Sequence, residues 1–194
     1  PSIRRRYLNS EISQYDSSYL INLSNFKKIQ KIRNDYLKKV TFNLDEQYLK
    51  IINDYFIDCS IKLYLSRSKF INELNNLIES IFLDLTGLSG FHINYDNNFN
   101  VDDFVNYDGD FKNIFINKLD HFFESEAKQG CSLIGPHKDD FSFYLGELNL
   151  KNYGSQGQQR LAVLSLKLAE VELLKKYNNE MPILLLDDVF SELD

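Results

Sequence analysis

The sequence predicts an α/β protein in which a long helical region precedes a β-hairpin, a further helix and a short buried strand. Three observations predict it. Apolar residues recur at three- and four-residue steps through most of Ser17–Leu85 and again through Asp110–Lys128. The stretch Asp139–Leu150 alternates on either side of a Gly146-Glu147 turn. A helical pattern from Gln156 to about Tyr177 is then followed by the wholly apolar run Ile183–Leu186. With 194 residues, 43% of them hydrophobic, the chain can bury a core as one large domain or two small ones.

In chain order, Leu20, Leu23, Ile29, Ile32, Tyr36 and Val40 mark a first helix from Ser17 to Val40, with Asp16, Ser17 or Ser18 available to cap it. After a break at Thr41–Asp45, a longer pattern runs from about Leu44 to Leu85. Tyr48, Ile51, Tyr55 and Cys59 mark its first part; Phe70, Leu74, Leu77, Ile81 and Leu85 mark its second. Gly87 and Gly90 end it. Two helices joined so closely predict an antiparallel hairpin, a compact helical arm rather than a rigid coiled coil. Phe91–Phe99 alternates as a strand does. Phe111, Ile114, Leu119, Phe122 and Phe123 give Asp110–Lys128 a helical pattern. A two-residue loop with glycine first, Gly146-Glu147, fits a type II′ hairpin. Pro182 excludes continuation of the helix that Asn178 and Asn179 end, and Ile183–Leu186 reads as a strand buried on both faces.

The net charge is −6, unevenly spread. Residues 1–40 hold nine Lys or Arg against Glu11, Asp16 and Asp35, a balance of +6, which leaves −12 for the remainder. Such asymmetry fits an anion-facing surface near the N-terminus, and equally a solvated helix face. Cys59 and Cys131 lack metal-ligand spacing and read as reduced thiols of a cytosolic protein. His92, His121 and His137 are too scattered for a zinc site. No apolar run reaches the roughly 18 residues that span a bilayer, and no secretory leader is recognisable. A start at Pro1 and a stop at Asp194 read as an internal piece of a longer polypeptide.

Two stretches carry chemistry. In "YGSQGQQRLAVLSLKLAEVEL" (Tyr153–Leu173), Ser155 and Gln158 fit a capping box. Capping does not explain Gly157, which disfavours a helix by roughly 1 kcal/mol relative to Ala. Nor does it explain why no acid precedes Glu170, although acids stabilise a first turn. Exposed amides, a glycine, a hydroxyl and no competing carboxylate suit an external anion, phosphate above all. In "PILLLDDVFSELD" (Pro182–Asp194), Asp187 and Asp188 follow a buried strand. Ligands of open α/β sheets collect at such strand ends. One Asp there can hold Mg²⁺ through water while its neighbour orients or deprotonates an attacking water. The alternative is a strand that simply ends in solvated acids.

"GSQGQQR", a helix, then "LLLDDVFSELD" resemble the signature, Walker B and D-loop elements of the ABC-type ATPase superfamily. Within it, the chain is similar to the RecF family of bacterial recombination mediators, to which "GPHKDDFSFYL", "SIRRRYLN" and "LSNFKKIQKIRNDYLKK" also correspond. The resemblance is dense over Gly135–Asp194, fair over the first forty residues and weak from about Leu44 to Lys128.

This resemblance implies a mainly helical, lid-like arm over residues 1–130 and part of an ABC-type ATPase head over 131–194. In the family, two ATP molecules are sandwiched between two heads. Ser155, Gln156, Gly157 and Gln158 would contact the γ-phosphate bound to the partner subunit. Asp187 would support Mg²⁺ through water; Asp188, where most ABC ATPases have Glu, would position the hydrolytic water. Ser191 and Asp194 would lie in the D-loop. The family binds DNA, single-stranded and as gapped duplex, as an ATP-dependent homodimer in the cytoplasm, away from membranes. With RecO and RecR it helps load RecA onto strands covered by single-strand-binding protein. Arg4, Arg5, Arg6, Lys27, Lys28 and Lys31, with Arg33, Lys38 and Lys39, are the local cations for sequence-indifferent phosphate contacts; the arginines could instead make intramolecular ion pairs. No stretch fits the phosphate-cradling G-x-x-x-x-G-K-S/T loop, which the resemblance places upstream of Pro1. The expectation is a DNA-dependent ATPase of which this part neither binds ATP tightly nor hydrolyses it. The competing reading is a non-catalytic DNA or protein docking module with structural carboxylates. The nucleotide-binding subunit of a transporter fits less well, because a long helical region stands ahead of the signature.

Overall fold

The computed structural model describes residues 2–39, 45–99, 104, 110–178 and 183. Packing divides the chain into two compact units, Pro1–Ser68 with Asn97–Asp140, and Lys69–Asp96 with Phe141–Asp194.

The first unit is helical. Helix α1 (Ser2–Tyr15) buries Leu8 and Ile12. Sequence periodicity misses it, because two buried residues in fourteen make no stripe and three arginines crowd its first turns. Helix α2 (Ser17–Leu37) begins at Asp16, whose side chain accepts from the Ser18 amide at 2.9 Å. Its buried side chains are Tyr19, Leu23, Phe26, Arg33 and Leu37. Leu20 and Ile32, expected inside, are exposed. The true stripe runs through a charged residue, which a count of apolar positions skips.

Helix α3 (Glu46–Thr86) contributes its first 23 residues, to Ser68, to this unit. Here too the face is one position off. Tyr48, Ile51 and Tyr55 are exposed, whereas Ile52, Phe56 and Leu63 are buried. The doublets Ile51-Ile52 and Tyr55-Phe56 make two phases equally apolar, and the tyrosines are the members that can keep a hydroxyl in water. Helices α2 and α3 pair antiparallel. Tyr36 meets Tyr48 edge-on at 5.2 Å, Arg33 Nε donates to Asn53 Oδ1 at 2.8 Å, and Phe26 lies 5.4 Å from Phe56.

Helix α4 (Phe111–Gln129) is capped by Asp110, which accepts from the Asn113 amide at 3.0 Å, and ends at the left-handed Gly130. It also runs antiparallel to α3. Lys112 Nζ lies 3.1 Å from Asp58, and Phe115 lies 6.0 Å from Phe56. Phe115 and Leu119 are its buried apolar residues, and Ile114, expected inside, is exposed. Tyr64, Phe99, Phe104, Phe111 and Phe115 form an aromatic cluster with centroids 4.7–6.3 Å apart, and each buried ring of this kind contributes roughly 1.5–3 kcal/mol.

The second unit holds the rest of α3, with Phe70, Ile71, Leu74, Ile78 and Phe82 buried, and a three-stranded sheet in the order β1-β2-β3. Strand β1 (Phe91–Asp96) alternates buried Phe91, Ile93 and Tyr95 with more exposed residues. Asn75 clasps it, accepting from the Ile93 amide at 2.8 Å and donating to the Ile93 carbonyl at 2.9 Å. Strand β2 (Asp140–Leu145) pairs antiparallel with β3 (Leu148–Asn149) in the register Tyr144–Asn149 and Leu145–Leu148. Gly146, at φ +56°, supplies the positive φ that the first position of a II′ turn requires. A four-residue helix, α5 (Leu150–Tyr153), begins at Leu150, the last residue of the alternating stretch, and α6 (Gln156–Asn178) follows. The expected strand Ile183–Leu186 lies, apart from Ile183, outside the described residues.

Candidate functional site

The start of α6 is held by side chains on both sides of the chain turn. The Ser155 amide donates to Gln158 Oε1 at 2.9 Å, and the Gln158 amide donates to Ser155 Oγ at 3.2 Å. That is a complete capping box. Sequence reading missed the partner that fixes its approach. Gln159 Nε2 donates to the carbonyls of Leu150 and Gly154 at 2.9 and 3.2 Å, tying α5 to the first turn of α6. The only prior sign of this role is the Gln158-Gln159 doublet, which does not say which glutamine reaches back to α5. Further along α6, Ala162, Leu164, Ser165, Leu166, Ala169 and Leu173 are buried and anchor the helix.

The two glycines of the motif are present for different reasons. A Cβ on Gly154 would lie 2.6 Å from the Leu150 carbonyl oxygen, so packing demands glycine. A Cβ on Gly157 would meet only Ser155 Oγ, at 4.0 Å. Among the described residues nothing requires that glycine. Gly154→Ala should therefore cost about 1–3 kcal/mol, because backbone must move, and Gly157→Ala should gain up to about 1 kcal/mol. Urea denaturation followed by circular dichroism checks both, and equal signs for the two variants would contradict the assignment.

Ser155 and Gln156 are exposed, Gly157 and Gln158 half-buried, and the first turn contains no acid. The first-turn amides of Gln156 and Gly157 have no intrahelical partner by geometry. Because Ser155 Oγ accepts within the cap, its hydroxyl hydrogen can donate outward. The donor set, an open cradle of amides and a hydroxyl at a positive helix end, fits a phosphate oxygen.

No family model matches the chain. The curated protein described as DNA replication and repair protein RecF of Listeria welshimeri serovar 6b is 40% identical over 199 residues, covering 100% of this chain and 53% of that protein. Its counterpart in Acetivibrio thermocellus is 40% identical over 196 residues, covering 100% and 53%. The solved structure of the recombination mediator protein RecF-ATP in the RecFOR pathway superposes with a TM-score of 0.90 at 32% identity, over 100% of this chain and 52% of that one. The chain belongs to the RecF family. A second solved structure, RecF-ATPrS of the same pathway, gives a TM-score of 0.87. The chain spans about half the length of the RecF relatives it matches. Its fold class is that of a partial ABC-ATPase head with a helical arm.

The remaining predicted residues of this RecF-family chain divide into three groups. Asp187, Asp188, Ser191 and Asp194 lie outside the described residues. Arg4 and Arg5 are engaged within the first unit. Arg4 Nε donates to Asp140 Oδ1 at 2.7 Å and its Nη2 to Oδ2, a two-pronged ion pair, and Arg5 Nη1 donates to the Asp139 carbonyl at 2.8 Å. Arg6, Lys27, Lys28 and Lys31 are exposed. Arg33 does not belong with them, because both it and Glu126 are wholly buried. Arg33 Nη2 donates to Glu126 Oε2 at 2.6 Å, and Nη1 donates to Ser132 Oγ at 2.8 Å. Lys38 pairs with Asp35 at 2.9 Å, which holds that carboxyl below the usual range.

"GPHKDD" has a structural role that sequence alone does not reveal. The Pro136 carbonyl accepts from Arg67, Asp139 pairs with Arg67 at 3.0 Å, and His137 lies among Phe26 and Phe56. Among the described residues no group of three or more His, Cys, Asp or Glu could hold a metal ion, and no helix is long and apolar enough to cross a membrane.

Proposed function

We propose that this chain supplies the trans-acting half of a composite ATP site in a RecF-like ATPase. Gly157 carries the reading. It weakens a helix that gains nothing from it among the described residues, at an acid-free end with a hydroxyl free to donate, and close approach of an external phosphate is what makes glycine useful there. Ser155, Gln156, Gly157 and Gln158 would bind the terminal phosphate of a nucleotide held by a second copy. When bound, Mg²⁺ supplies charge neutralisation at the phosphates. Asp187 would hold its water shell, and Asp188 would orient the attacking water. Ser191 and Asp194 would line the dimer contact. On this reading residues 1–130 act as an arm and 131–194 as part of the head, and the chain alone neither binds ATP tightly nor turns it over.

RecF homology and the RecFOR pathway to which the matched structures belong support recombinational repair as the setting, with DNA, RecO, RecR and RecA loading on gapped strands in the cytoplasm. Arg6, Lys27, Lys28 and Lys31 are the cations exposed for DNA phosphates, since Arg4 and Arg5 already hold Asp139 and Asp140.

The test uses the chain joined to a P-loop segment, with dimerisation followed by light scattering as ATP is added. Ser155→Arg should abolish the dimer and Asp188→Asn should preserve it while slowing turnover. An ATP-dependent dimer that survives Ser155→Arg would remove α6 from the site.

A further inference from the structure

A cleft of about 490 Å³ lies between α3 and α4, entirely within the first unit. Ile57 and Leu119 form its buried floor, and half-buried Leu49, Ile116 and Phe123 form its walls. The rim is charged. Among the described residues that line it, Glu46, Asp54 and Asp120 stand against a single cation, Lys50. Lys112, which also feels Asp54, is drawn to Asp58, 3.1 Å away. The volume lies within the roughly 300–1,000 Å³ of binding pockets.

We infer that this cleft is a docking site for an amphipathic helix of another protein, with apolar residues toward α3 and α4 and arginine or lysine on its flanks. Length supports a helix. At 1.5 Å per residue, the α3 wall from Leu49 to Ile57 is about 12 Å long and the α4 wall from Ile116 to Phe123 about 10 Å. Apolar anchors at i, i+4 and i+7 on a third helix span about the same 10 Å. Charge selects the occupant. Three carboxylates against one ammonium repel a nucleic-acid backbone and attract a basic peptide. The cations expected to meet DNA are carried by α1 and α2, whereas this rim is carried by α3 and α4. The residues that form it are therefore not those of the phosphate cradle or of the cationic helices, and the inference does not depend on the ATP reading.

The test titrates the protein into a fluorescein-labelled helical peptide of about 15 residues, with leucines at i, i+4 and i+7 flanked by arginines. Anisotropy gives the affinity, and methyl chemical shifts of Ile57, Ile116 and Leu119 give the location. Binding that moves those methyls, weakens with salt, and falls at least tenfold in Asp54→Lys/Asp120→Lys, about 1.4 kcal/mol, is the expected result. Both positions are on the rim, and an unchanged circular dichroism spectrum shows that the variant is folded. Equal binding of a glutamate-flanked peptide would overturn the inference. So would shifts confined to other methyls, displacement by a single-stranded oligonucleotide, or self-association of the chain through the cleft in sedimentation. Failure of the peptide to bind overturns it as well.

Discussion

Replacing Arg67 by methionine should destabilise the protein by about 3–5 kcal/mol, because it leaves the Asp139 carboxylate buried without its cation. Arg67 is 2% exposed and gathers four segments of the first unit. Its Nε donates to Tyr19 Oη at 3.0 Å, from α3 to α2. Its Nη2 donates to Asn9 Oδ1 on α1 at 3.0 Å. Nη1 donates to the Pro136 carbonyl at 2.6 Å and to Asp139 Oδ2 at 3.0 Å. Tyr19 Oη in turn donates to Asn9 Oδ1 at 2.6 Å, and burial raises the tyrosine's pKa further than the nearby guanidinium lowers it. Breaking one partner of such a network costs more than deleting both, since the second deletion removes the stranded charge. Arg67→Met with Asp139→Leu should therefore lose less than the sum of the single variants, and less than Arg67→Met alone if the leucine packs. Urea midpoints for the two singles and the double close the cycle. A single-variant loss below about 1 kcal/mol would mean that the pair does not hold these segments together.

That network also shows where the sequence was legible and where it was not. Features written in local chemistry could be read in advance. The Ser155/Gln158 box, the Gly146 turn, the Asp16 cap and the paired helices α2 and α3 each follow from residues within a few positions of one another. What could not be read is partnership across the chain. Arg33 meets Glu126, and Arg67 meets Asp139, over separations of 93 and 72 residues. A rule that treats charge as surface assigns Arg33 to the exposed cations and shifts the buried stripe of α2. In the candidate site the same division holds. The capping role of Ser155 is visible from spacing, but only the structure separates Gly154, which packing demands, from Gly157, which nothing among the described residues demands. From sequence, "GPHKDD" reads only as part of the family resemblance; in the structure its residues meet Arg67, Arg5, Arg4 and the aromatic cluster around Phe56.

Acid should weaken this unit through His137. The ring is half-buried, but its Nδ1 is wholly buried and has no hydrogen-bond partner among the described residues. Nε2 lies 2.9 Å from the Ser132 carbonyl, which fixes the neutral tautomer with the proton on Nε2. Gly135, at φ +132°, admits the ring closely: a Cβ there would lie 3.1 Å from Nδ1 and 2.9 Å from Phe56. A second proton would sit on Nδ1, facing apolar surroundings. Burial therefore pushes the imidazole down to about 4, with Lys138, Arg5 and Arg33 adding to the effect and the Ser132 carbonyl opposing it. The sign follows from the depressed value. Between about 6.5 and about 4 the unfolded chain binds the proton and the folded chain does not, so stability is full above about 6.5 and is lost as pH falls toward about 4. The gap corresponds to about 3 kcal/mol. Carboxylates titrate in the same range, so the measurable quantity is a difference. His137→Gln keeps an amide donor for Ser132 and cannot be protonated. The pH dependence of its urea midpoint, from pH 7.5 down to pH 4, should be shallower than that of the native chain by that amount. Parallel curves would show that the imidazole is charged, or solvated, in the folded protein.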